Sequence, residues 1–117
     1  MSLKKLKGQL RVEVDTAYLY QQLANRYQDS VTKTILQKMA AIENGHAQKV
    51  LAKIRASDPN YSMPSPSLRA KIQIQLGKIC GFGFVLSQLA EIEARMSQAA
   101  VSKKQAQGEK VTGLENV

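Results

Sequence analysis

The chain has 117 residues, enough for one domain around a single apolar core, and its 44% hydrophobic content excludes a disordered polymer. Its single cysteine excludes an intrachain disulfide and any cysteine pair able to hold a rubredoxin-like iron. The net charge of +8 comes from Lys and Arg spread along the whole chain with few aromatics nearby, a pattern that reads as a solvated basic surface.

From Leu3 to Tyr27, the apolar residues Leu6, Leu10, Ala17, Tyr20 and Ala24 recur in three- and four-residue steps, which predicts a first helix. Asp29-Ser30 is a helix start signal. A second helix is expected from Val31 to Ala56, with Ile35, Leu36, Met39, Ile42, Ala47, Val50 and Ile54 on its stripe. The short connection makes the pair an antiparallel hairpin. Ser57 to Ser67 carries Pro59, Pro64 and Pro66 and reads as a crossover loop. A third helical region begins near Ser67, is interrupted at Gly81-Phe82-Gly83, and resumes from Phe84 to Lys104. Residues 1–104 are thus expected to form the helical domain, and 105–117 a short or frayed terminal segment.

Ile79 to Leu86 is the longest apolar stretch and contains two glycines, so no membrane segment is expected. The N-terminal MSLKKLKGQL has no apolar signal core, which points to a cytoplasmic compartment. Cys80, between Ile79 and Gly81, reads as a small buried hydrophobe, and Met39 and Met96 as packing residues.

The acidic residues are few, and three of them fall on apolar stripes. Glu13 lies between Leu10 and Ala17, Glu43 between Met39 and His46, and Glu93 between Leu89 and Met96. Carboxylates gathered in a core require a compensating positive charge, which a metal ion supplies. Glu43-Asn44-Gly45-His46 is a Glu-x-x-His unit, whose i, i+3 spacing sets both ligands on one helical face. Dinuclear carboxylate bundles combine this unit with a Glu from a neighbouring helix. Tyr20 and Tyr27 lie near the same stripe and read as packing residues.

The run from Glu13 to Ala24, EVDTAYLYQQLA, resembles the first helix of rubrerythrin-like ferritin domains, closest to those fused to vacuolar-iron-transporter-type membrane domains. Leu36 to Leu51, the proline loop, Ser67 to Ala70 and the Gly81–Leu86 segment resemble the parts that follow, so the likeness covers about Leu3 to Ala100. The resemblance implies an all-α, ferritin-like antiparallel bundle with a helix hairpin, a long crossover and a third helix. It implies Glu13 as the terminal ligand of one metal, Glu43 as the bridge and His46 as a ligand of the first metal. Glu93 corresponds to the third-helix carboxylate; Glu91 is a neighbouring candidate, and helical phase favours Glu93.

The family carries a second Glu-x-x-His on a fourth helix, whereas His46 is the only histidine here. A homodimer that places two Glu13/Glu43/His46 sets face to face is therefore expected to complete a site shared between subunits. The implied chemistry is oxidation of Fe(II) by oxygen or peroxide, with Mn or Zn as other metals and an external electron donor for any peroxidase cycle. Two readings from other classes stand beside it: a helical interaction module with an incomplete metal site, and a basic nucleic-acid-binding protein.

Overall fold

In the computed structural model of the chain, residues 2–98 are described, and they contain helices and no strand. Helix α1 spans Leu3–Ala24, α2 Ser30–Arg55 and α3 Leu68–Cys80; residues 83–98 are also helical and form α4. The chain divides into two compact units, Met1–Val85 and Leu86–Val117. The expected tail at 105–117, and the end of the last helix beyond residue 98, lie outside the described residues.

The helix starts are written locally. Ser2, Asp29 and Ser67 each keep an extended backbone and accept a hydrogen bond from the amide three residues on, at Lys5, Thr32 and Ala70. At α2 the Asp29 carboxylate takes both the Thr32 hydroxyl, at 2.6 Å, and the Thr32 amide, at 2.8 Å. The hydroxyl contributes most, and with the Thr32 and Val31 amides it holds the Asp29 carboxyl below its ordinary range.

α1 packs on α2 along its full length, and the seam is the core of the first unit. Leu10, Ala47, Val50, Leu51 and Ile54 form one cluster, on which Leu3, Leu6, Val14, Tyr61 and Met63 also pack. Along α2 the buried line is Leu36, Ala40, Glu43, Ala47, Val50 and Ile54. Ile35 and Ile42, expected on that stripe, are exposed instead. Each precedes a buried residue by one position, and about 100° of helical rotation per residue carries it off the seam.

The connection after α2 is tied back to the hairpin. Lys7 pairs with Asp58 at 3.5 Å and lies 4.7 Å from the Tyr61 ring centroid, while Arg55 Nε donates to the Tyr61 carbonyl at 2.9 Å. The loop then reaches Asp15, whose carboxylate accepts from the Ser67 amide at 2.8 Å and from the Ser67 hydroxyl at 2.6 Å. It has climbed only from Lys7 to Asp15, about 12 Å along α1. From there α3 runs alongside α1 in the same direction, because at its far end the Phe82 ring lies 5.7 Å from the Arg26 guanidinium. A crossover along the whole hairpin would have set α3 parallel to α2; stopping halfway makes it antiparallel to α2.

Two glycines end α3. A side chain at Gly77 would meet the Phe82 ring at 2.9 Å and Val85 at 3.0 Å, and Gly81 has φ +98°, which stops the helix. The third helical region is therefore two helices. Cys80 is exposed rather than buried, because it closes α3 beside the outward-facing Ile79. The antiparallel pairing also gathers charge that looked dispersed. Lys4, Lys5, Lys7 and Arg11 open α1, Lys49, Lys53 and Arg55 close α2, and the hairpin sets both groups at one end.

Two outcomes follow. Ser67→Ala removes the α3 cap and a hydrogen bond to a charged group, so it should cost about 2 kcal/mol in urea unfolding. The depressed Asp29 pKa adds stability that is complete above the ordinary carboxylate pKa of about 3.9 and is lost as pH falls through the lower native value. Asp29→Asn keeps an acceptor oxygen, so acid unfolding followed by circular dichroism should lose part of its pH dependence.

Candidate metal centre

The α1/α2 seam is apolar at both ends and acidic in the middle. Toward the helix ends lie Leu10, Val50 and Ile54; toward the turn α1 buries Tyr20 and Leu23, and α2 buries Leu36 and Ala40. Between them Glu13 is 2% exposed and Glu43 5% exposed. Each occupies a position where helical periodicity calls for an apolar residue, so packing of the seam carries both carboxylates inward.

His46, one turn beyond Glu43, joins them. Its Nδ1 is 3.7 Å from Glu13 Oε2 and 3.7 Å from Glu43 Oε2. One donor atom from each of the three residues lies within 4.8 Å of the others. Around one transition-metal ion bound at about 2.0–2.2 Å, donor atoms stand roughly 3–3.5 Å apart. Closing the remaining gap requires only small side-chain rotations. The buried Glu13 Oε2 has no hydrogen-bond partner among the described residues, and its only ion-pair partner there is His46. Two carboxylates and an imidazole form a donor set suited to iron, manganese or zinc. The residues fit a metal ion.

The site is closed on one flank and open on another. The His46 side chain is 49% exposed. Val31, Ile35, Ile42 and His46 follow one another in four-, seven- and four-residue steps, so His46 stands at the end of an exposed apolar line on α2. A concavity of about 320 Å³ lies elsewhere on the same helix pair, lined by Val14, Tyr18, Gln21, Asn44, Gln48 and Met63 among others. None of Glu13, Glu43 and His46 lines it.

Thr16 is a buried polar residue of α1 that sequence reasoning passed over. It is buried one turn after Glu13, and its hydroxyl has no hydrogen-bond partner among the described residues. A hydroxyl on the apolar stripe, three residues from a buried acid, was the available signal. Tyr20 is buried on the next turn, and Tyr27 is half-buried.

Glu93 belongs to the second unit and is half-buried on the helix at 83–98; the group of potential metal donors found among the described residues is Glu13, Glu43 and His46. Glu91, its neighbour, is exposed and ion-paired with Arg95 one turn on.

A buried carboxylate is costly without a compensating positive charge. Glu13→Leu should therefore stabilise the metal-free protein by about 1–2 kcal/mol in urea unfolding with a chelator present. The same variant should show no stabilisation on adding metal.

No family model matches the chain, and neither a curated protein nor a solved structure matches it, so the site geometry carries the functional reading.

Proposed function

We propose that this chain is an iron-binding protein in which Glu13, Glu43 and His46 make one half of a rubrerythrin-like dinuclear carboxylate centre that oxidises Fe(II). The observation that carries the reading is the pair of buried carboxylates converging with His46 in an otherwise apolar seam. Hard carboxylate oxygens hold both Fe(II) and Fe(III), and the neutral imidazole adds a donor without adding charge. His46 Nδ1 stands equally far, 3.7 Å, from a carboxylate oxygen of Glu13 and of Glu43, and by the resemblance Glu43 would be the carboxylate shared between two metals. Two Fe(II) ions each give up one electron, and dioxygen takes both with two protons to become hydrogen peroxide. With one cysteine in the chain, re-reduction falls to an external donor.

The other half of the site is assigned to a second copy of this chain. The exposed line of Val31, Ile35 and Ile42 leads to the open side of His46, and covering it would bury apolar surface beside the ligands. A two-fold arrangement on that face supplies a second Glu13, Glu43 and His46 to the first set.

The test is metal content after anaerobic loading with Fe(II), with mass by light scattering. A dimer holding about one iron per chain, emptied by Glu43→Ala, is the expected result. Iron at a hundredfold excess over its Kd should stabilise the parent by about 2.7 kcal/mol and leave the Glu43→Ala variant unchanged. If the parent takes up no iron, manganese or zinc, the reading fails. Uptake unaffected by Glu43→Ala would move the metal elsewhere.

A further inference from the structure

Helix α3 is apolar on two opposite sides. Ala70, Ile74 and Gly77 form its buried side, and α1 is the helix it packs on. Half a turn away Leu68, Ile72, Leu76 and Ile79 follow in steps of four, four and three, and all are exposed, Leu68 at 73% and Ile79 at 81%. They form a continuous line of about 17 Å. The line cannot turn inward, because the buried side and the Ser67–Asp15 cap clamp the helix in one orientation.

The flanks of this line are basic. Arg69 borders it on one side and Lys71 and Lys78 on the other, at about 100° per residue. No Asp or Glu occurs between Leu68 and Cys80. Such a helix is neither an ordinary solvated surface nor a core element.

We propose that the outer face of α3 docks on an anionic lipid surface, with the helix lying in the plane of the interface. Large apolar side chains enter the headgroup–acyl boundary, and the flanking Arg and Lys stems extend over it to reach lipid phosphates. No helix among the described residues is long and apolar enough to cross a membrane, so the contact is peripheral. Charge distinguishes this occupant from a second copy. Two α3 faces in contact would crowd Arg69, Lys71 and Lys78 of both chains around one seam with no acid in either helix. A nucleic acid would find aliphatic side chains and no aromatic on which to stack a base. The docking face shares no residue with the Glu13/Glu43/His46 group and stands independently of it.

The experiment is co-sedimentation of the full chain with phosphatidylcholine vesicles, with and without phosphatidylserine. Binding is expected only with phosphatidylserine and should weaken as salt rises. Ile72→Gln/Ile79→Gln, at two exposed positions, should lower the partition coefficient by at least about tenfold while helicity is kept. A second readout needs no disruptive variant: an environment-sensitive fluorophore on Cys80, the only cysteine, should shift to the blue on adding the anionic vesicles. The proposal is overturned by absence of binding, or by binding without a fluorophore shift. Binding unchanged in the double variant overturns it too, and points to the basic end of the hairpin. A parent dimer that the double variant converts to monomer overturns it in favour of an interface between copies.

Discussion

The antiparallel contact between α1 and α2 is where the fold and the candidate chemistry meet. An apolar seam of this kind supplies most of the stability of a small helical unit, and placing carboxylates within it works against that stability. Glu13 and Glu43 occupy its middle, where Leu or Ala would pack at no electrostatic cost. The apolar layers on either side, built from Leu10, Val50 and Ile54 and from Tyr20, Leu23 and Leu36, hold the two acids in register. Preorganisation of this sort favours a ligand of opposite charge, because the cost of assembling the carboxylates is already met in folding.

The remaining elements depend on that seam. The loop at 56–67 returns along the hairpin through Lys7, Asp58, Tyr61 and Arg55, and Asp15 then captures Ser67. One carboxylate of α1 thus fixes both the start and the direction of α3. Asp15 and Glu13 stand two residues apart on the same helix, pointing to different sides, and do different work. The first is satisfied by two hydrogen bonds from Ser67, whereas the second has a buried oxygen with none among the described residues.

Two exposed apolar lines remain, and their surroundings separate them. The line on α2 ends at the half-exposed His46, so in the proposed dimer a copy of the chain covering it would join apolar burial to completion of the candidate site. The line on α3 is bordered by Arg69, Lys71 and Lys78 with no acid in the helix, which sets like charges against self-association. The same physical signal, unpaired apolar area, therefore supports different partners according to the polar groups at its border.

Much of this was legible in the residues themselves. Periodicity and caps marked the hairpin, the proline loop and the break at Gly81, because helix starts and stops are satisfied by side chains a few positions away. The spacing of Glu43 and His46, with Glu13 on the stripe of the preceding helix, also marked the candidate ligands. Other features rested on contacts distant in sequence. Which side of α2 was buried, leaving Ile35 and Ile42 outside, was decided by α1, since a helix carrying apolar residues around much of its girth has no preferred face by itself. The direction of α3 was decided by one hydrogen-bonded pair 52 residues apart, Asp15 with Ser67. The gathering of basic residues at one end of the hairpin was decided by its register, which no count along the chain contains.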